Sequence, residues 1–374
     1  MIRATDTPRS EADSNRDGKA RFIYAEAPVL IYWELTRACD LACRHCRAEA
    51  IAKRDPEELT IAEARDLLER VREFPNPRPH LVLTGGDPLK RSDFFDLLEC
   101  GAGLGLRMSV APSGTNALTR EVFRRFKLNG VESISLSLDG STAEKHDGFR
   151  GVPGCFEWTL RAARLAREEG IELQINTLVT AETAADLPEI YLSVSELGLR
   201  RWSLFYLIAV GRGRVLTEVA PDRCEALHHW LFEVSKEAPF TVATTEAPHF
   251  RRVALTRMRV EGIPWAKIRE TPVGRGSGIR DGNGIMFISH TGDVYPSGFL
   301  PLVAGNIRAA NIAGIYRESE IFRKVRQTSQ FKGRCGRCEF REICGGSRAR
   351  AYATYGDYLA EDPACSYRPG SYCG

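Results

Sequence analysis

No stretch of this 374-residue chain approaches the roughly 18 consecutive apolar residues that a membrane-crossing helix needs. The first 25 or so residues (about Met1 to Tyr24) are polar and mixed in charge, without the apolar core of a secretory signal. An excess of one charge is lacking too: 52 Lys and Arg against 49 Asp and Glu leave a net charge of +3, no footprint for nucleic acid. Internal repeats and low-complexity tracts are missing, which excludes solenoids and fibrous architectures. What these absences leave is a cytoplasmic globular protein with no membrane and no nucleic acid among its partners. With 43% hydrophobic and 27% charged residues, it can bury one large α/β core and carry a smaller appendage.

Cysteine is abundant instead. Eleven in a chain with no export signal point to metal or redox chemistry, since disulfides are rare in the cytosol. Cys39, Cys43 and Cys46 form one group. Cys335, Cys338, Cys344 and Cys365 form a second, with Cys373 trailing. Cys100, Cys155 and Cys224 stand alone and read as small buried hydrophobes.

From about residue 29 to 207, short apolar runs alternate with amphipathic stretches. The pattern predicts strands at 29–35, 80–83, 107–111, 133–138, 172–179 and 201–207, with helices between them. Thr60 followed by Glu63 is a capping-box signature for the first of those helices. Six strand-then-helix units in series predict a parallel α/β sheet, whose chemistry belongs at the carboxyl ends of the strands. A further helix is expected over 221–235, loop with short elements over 246–284, and a hairpin across His290-Thr291-Gly292.

Cys39-x3-Cys43-x2-Cys46 follows the first predicted strand. Three thiolates cannot cap all four irons of a 4Fe-4S cluster, so one iron stays open for a small molecule. Zinc would need a fourth ligand, for which His45 is the local option. Gly85-Gly86-Asp87-Pro88 follows the second strand, and Ser137-Leu138-Asp139-Gly140 ends the fourth. Taken together these elements resemble the radical S-adenosylmethionine (SAM) superfamily. The resemblance implies a partial (β/α)6 TIM-like barrel and a cluster at Cys39, Cys43 and Cys46. It implies SAM contacts from Gly85, Gly86, Asp87, Pro88, Ser137 and Asp139, with Asn176 as a further polar contact. It also implies reductive cleavage of SAM to a 5′-deoxyadenosyl radical, fed by a flavodoxin- or ferredoxin-type electron donor.

Cys335-x2-Cys338-x5-Cys344 with the later Cys365 fits either a zinc ribbon or a second 4Fe-4S cluster. Beside the barrel motifs, the segment resembles the SPASM extension, in which such cysteines ligate an auxiliary cluster. Cys373 is an alternative to Cys365. Cysteines that the extension uses for an inner cluster are missing here, one from the stretch Val294-Tyr295-Pro296-Ser297 after the hairpin strand and one at Arg348. Two clusters in total are therefore expected. The implied division is a flexible arm over 1–27, the radical SAM core over 28–215, a bridging region over 216–284 and the SPASM-like domain over 285–374.

Over about residues 28–368 the sequence is most similar to the haem-pathway branch of that group, which decarboxylates tetrapyrrole propionates. Arg212 and Arg214, after the sixth strand, could pair with propionates, as could Arg251, Arg252, Arg275 and Arg280. His249 could be an axial ligand to substrate iron, with His228 and His229 as weaker options. The competing expectation is a maturase that modifies a ribosomally made precursor peptide. Such enzymes often carry an N-terminal leader-binding domain, for which the arm here is too short. No general acid or base is legible.

Overall fold

The computed structural model describes residues 23–371. Most of the expected N-terminal arm, and Cys373 as a possible ligand, lie outside the described residues. One sheet of ten strands organises the chain, in the order β10-β9-β8-β1-β2-β3-β4-β5-β6-β7. The strands are β1 (Leu30–Glu34), β2 (His80–Thr84), β3 (Met108–Val110), β4 (Val131–Ser137), β5 (Glu172–Val179), β6 (Arg201–Tyr206), β7 (Thr241–Thr245), β8 (Ile285–Ile288), β9 (Asp293–Tyr295) and β10 (Gly305–Asn306). β8 through β7 are parallel neighbours, while β9 and β10 add antiparallel at one edge. The architecture is the expected α/β partial barrel with a C-terminal extension.

Six helices connect the first strands: α1 (Ile61–Val71), α2 (Phe94–Gly103), α3 (Arg120–Leu128), α4 (Ala143–Arg150), α5 (Cys155–Glu168) and α6 (Leu187–Ser195). α7 (Pro221–Glu237) and α8 (His249–Val260) flank β7. The Thr60–Glu63 capping box forms as expected at the start of α1. Two strands beyond the expected six join the parallel set. β7 was hidden because Thr-Val-Ala-Thr-Thr is short and scarcely apolar. β8, expected only as one arm of a hairpin, also lies parallel to β1, with Tyr32 opposite Phe287. α8 was hidden in an Arg-rich stretch, although its inner face buries Phe250, Val253, Ala254 and Leu255.

Register divides the sheet into two chemically different faces. One carries Ile31, Trp33, Leu81, Leu83, Val110, Ile134, Leu136, Ile175 and Trp202 into the main core beneath the helices. The opposite, inner face carries Thr84, Ser135, Ser137 and Asn176. Parallel strands covered on both sides are ordinarily apolar throughout, and closed barrels fill their interior with branched side chains. Here Ser133-Ile134-Ser135-Leu136-Ser137 alternates strictly, and the inner face is kept polar. Such a face is built to hold a polar molecule.

Candidate functional site

The first cysteine group sits in the loop leaving β1, where each sulfur is met by a hydrogen-bond partner. Cys39 Sγ accepts from the Leu41 N–H (3.3 Å) and lies 3.2 Å from Ser113 Oγ. The Ala50 N–H donates to Cys46 Sγ (3.3 Å), and Arg150 Nη1 to Cys43 Sγ (3.5 Å). Donors aimed at sulfur suit thiolates that carry a metal cluster. Without one, burial pushes the Cys39 thiol up, against the charged form. His45 is turned to a different use. Its ring is stacked on Phe149, and burial lowers its pKa to about 4.

Among the described residues, the His, Cys, Asp and Glu ligand atoms that gather within 4.8 Å of one another are those of His146, Asp147 and Cys155. Neither cysteine group is so contracted. Sulfurs around one tetrahedral zinc stand about 3.8 Å apart at a Zn–S distance of about 2.3 Å, whereas thiolates on separate irons of a cluster spread wider. The trio itself is occupied: Asp147 accepts from the Gly154 and Phe156 N–H groups and from the Cys155 thiol, capping α5. His146 accepts from the Asp139 N–H.

Beside the first group opens a cavity of about 170 Å³, lined by Gly85, Gly86, Ser113, Ser137, Arg150 and Asn176 among others. The glycines do more than approach a ligand. Gly86 N–H donates to Thr36 O and Asp87 N–H to Ala38 O, both at 2.7 Å, tying this turn to the chain that leads into the cysteine loop. A Cβ on Gly86 would fall 2.4 Å from Ala38 O, and one on Gly85 2.4 Å from Thr36 O.

Four of the expected SAM contacts, Gly85, Gly86, Ser137 and Asn176, thus share one cavity. The other three stand behind it. Asp87 is buried, accepts from the Leu89 N–H and has its pKa raised to about 6 by burial. Pro88 is buried at the start of the next turn. Asp139 pairs with Arg150 and accepts from the Leu178 N–H (2.7 Å), so it acts on the site by orienting that guanidinium toward Cys43. Arg150 was missed at the sequence level, where nothing distinguishes it from other arginines. Replacing it with Met should cost about 3–5 kcal/mol, because the buried Asp139 carboxylate loses its counter-charge; Arg150→Lys should retain part of this. Chemical unfolding of the three proteins checks it.

In the second group every thiol again meets a donor: Cys335 the Asp362 N–H (3.3 Å), and Cys338, Cys344 and Cys365 the N–H groups of Phe340, Gly346 and Tyr367. All four line one cavity. Burial pushes the free thiols of Cys338 and Cys365 up to about 11, a cost that bound iron offsets. Gly346 must be glycine here, with φ at +64° and a Cβ that would meet Cys335 Sγ at 3.0 Å. Of the lone cysteines, Cys155 and Cys224 are buried and Cys100 is half-buried against the core.

Polar links stand where the extra cysteines are replaced. Arg348 is wholly buried and donates to Tyr358 O, Ala360 O and Cys335 Sγ. Ser297 donates to Glu246, which also accepts from Ser347 and hydrogen-bonds Asp281. Burial beside Asp281 holds the Glu246 carboxyl well above its ordinary value of 4.5. A raised folded pKa means that the native state keeps a proton the unfolded chain has released. This stabilisation is complete below about pH 4.5 and declines as pH rises toward the folded value. Glu246→Gln should remove the decline, gaining on the parent by up to about 1.4 kcal/mol per pH unit. Urea unfolding at about pH 5 and about pH 8 measures it.

Of the arginines expected at substrate, Arg251, Arg252, Arg275 and Arg280 are engaged by Ile279 O, Glu225, Glu270 O and Gly278 O. Arg214 is exposed. Arg212 differs: its N–H donates to Cys46 O, and its guanidinium leaves Nε and Nη2 buried and unpartnered among the described residues. His249 corrects an expectation. An axial ligand to substrate iron must face the chamber that admits substrate, but His249 is wholly buried against the second cysteine cavity. His228 is equally buried, and His229 is exposed on α7.

A partial barrel with a spread thiol triplet at the carboxyl end of β1, and a polar cavity beside it, defines a cluster-dependent enzyme acting through a small polar cosubstrate. The family model of the Radical SAM superfamily matches residues 33–194. The AdoMet-dependent heme synthase of Methanosarcina barkeri is 40% identical over 344 residues, covering 92% of this chain and 98% of that protein. The pre-heme d1 synthase of Dinoroseobacter shibae is 29% identical, covering 90% and 86%. In fold, the crystal structure of Streptococcus suis SuiB bound to S-adenosylmethionine matches with a TM-score of 0.70 at 16% identity, covering 91% of this chain and 78% of that one. The chain belongs to the radical SAM superfamily, and is an enzyme that uses 4Fe-4S chemistry and SAM. Among the described residues no helix is long and apolar enough to cross a membrane.

Proposed function

We propose that this enzyme decarboxylates propionate side chains of an iron tetrapyrrole, iron-coproporphyrin being the first substrate to try. In this reading Cys39, Cys43 and Cys46 hold the SAM-cleaving cluster in the core, with SAM lodged against Gly85, Gly86, Ser137 and Asn176. Cys335, Cys338, Cys344 and Cys365 hold one auxiliary cluster in the extension. Cluster and SAM, when bound, supply a 5′-deoxyadenosyl radical able to take hydrogen from an unactivated carbon. The chain's part is to place the propionate and exclude water. A propionate that gives up one hydrogen atom and then CO2 becomes a vinyl group and releases one electron, for which the auxiliary cluster is the acceptor in this reading. The protein works in the cytoplasm and draws its reducing electron from a flavodoxin- or ferredoxin-type donor.

The observation that carries this reading is Arg212, a guanidinium beside the cysteine loop with two buried nitrogens unpartnered. Such a group is costly unless an anion meets it, and a carboxylate does so with two parallel hydrogen bonds. The heme synthase named for the 40% relative supports the same substrate class.

The test is anaerobic reconstitution with iron-coproporphyrin, SAM and reductant, followed by mass spectrometry. Loss of one or two carboxyl groups from the porphyrin is expected, and Arg212→Lys should lose about tenfold or more in kcat/KM by giving up bidentate contact. An unchanged porphyrin alongside SAM turnover would count against the proposal and turn attention to precursor peptides.

A further inference from the structure

The cavity shared by Cys335, Cys338, Cys344 and Cys365 has one wall that is not cysteine. His249, the first residue of α8, and Arg252 one turn later both face it. His249 is 0% exposed, yet neither ring nitrogen has a hydrogen-bond partner among the described residues. The same holds for His228 on α7, whose ring meets that of His249 edge-on with centroids 4.3 Å apart. A buried N–H with no acceptor costs about 1–3 kcal/mol, so an unpartnered pair this deep calls for an explanation.

No nearby protein group supplies one. The Asp362 carboxylate stands 3.9 Å from His249 Nδ1, beyond hydrogen-bond reach, and accepts from the N–H groups of Ser347 and Ala364. Arg252 bonds Glu225, lies over the Tyr367 ring at 4.5 Å and keeps its Nε unpartnered. The Tyr206 ring packs against both histidines without hydrogen-bonding either, and the cavity is a direction open to His249 and Arg252, which both line it.

We propose that His249 is a positioning residue for the auxiliary cluster, its N–H donating to a cluster sulfur, with Arg252 adding positive charge and the His228 ring fixing the imidazole plane. The inference rests on the reading of the four cysteines as ligands of that cluster. Hydrogen bonds and positive charge directed at sulfur favour the reduced, more negative state and raise the reduction potential. That is the direction needed by a cluster that takes up the one electron released as a propionate leaves as CO2.

The experiment is an EPR-monitored potentiometric titration of the full, reconstituted chain, after iron and sulfide analysis. If the parent protein carries a single cluster, the reading of the four cysteines fails whatever His249 does. With two clusters present, His249→Phe should move the auxiliary midpoint to more negative potential and leave that of the SAM-binding cluster in place. His249→Gln, which keeps an N–H donor, should recover part of the shift. An auxiliary midpoint unmoved in His249→Phe overturns the proposal. Should that variant load iron poorly, the parent protein decides the matter. Labelling its histidines with 15N should alter weak nitrogen couplings in pulsed EPR of the reduced auxiliary cluster, and a spectrum without histidine nitrogen coupling overturns it.

Discussion

Replacing Cys43 with Ala is expected to abolish formation of 5′-deoxyadenosine, by about a thousandfold or more, and to remove about four irons of about eight per chain. In the proposed reading three thiolates at the end of β1 leave one iron open, and a loop with only two would not retain the cluster to which SAM binds. Arg150, which donates to Cys43 and pairs with Asp139, would also lose its acceptor, so a local loss of order is expected beside the SAM cavity. The second cysteine group lies in a separate cavity and should keep its iron. Cys335→Ala makes the reciprocal prediction, with SAM cleavage retained and the other four irons lost. Iron analysis and chromatographic measurement of 5′-deoxyadenosine check both.

Gly86→Ala should be nearly as damaging although it removes nothing. The added carbon would lie 2.4 Å from Ala38 O and 2.6 Å from Arg37 O, both backbone atoms that cannot swing aside. To make room, the turn after β2 must part from the segment entering the cysteine loop, breaking the bonds at Thr36 O and Ala38 O. We expect a loss of about 3 kcal/mol or more, as for an overpacked core, together with reduced iron loading at the first group only. Gly103→Ala, where nothing lies within 4 Å, is the control and should be neutral or mildly stabilising. Thermal unfolding and iron content separate the outcomes.

Much of this was legible in the chain. The cysteine spacing, Gly-Gly-Asp-Pro and the serial strand–helix pattern announced the barrel and its first cluster, because ligand spacing is local and periodicity survives in short windows. Thr60 and Glu63 announced a cap for the same reason. What stayed hidden depends on approach across the fold. Arg150 meets Cys43 across 107 residues and is, in sequence, one arginine among many. β7 has too little apolar content to read as a strand, and it is held by its register with β6 instead. The glycines of Gly-Gly-Asp-Pro read as room for a ligand, whereas they also make room for carbonyl oxygens of the segment that leads from β1 into the cysteine loop. His249 read as an iron ligand because exposure cannot be seen in a sequence. A signal for the polar inner face was present in Ser133 through Ser137, whose strict alternation is unusual in a parallel strand.

The measurement closest to the central claim is EPR of the anaerobically reconstituted, reduced protein before and after SAM is added. Two 4Fe-4S signals are predicted, one of which changes shape when SAM binds while the other does not. Zinc at the first cysteine group, or two signals both indifferent to SAM, would contradict the account.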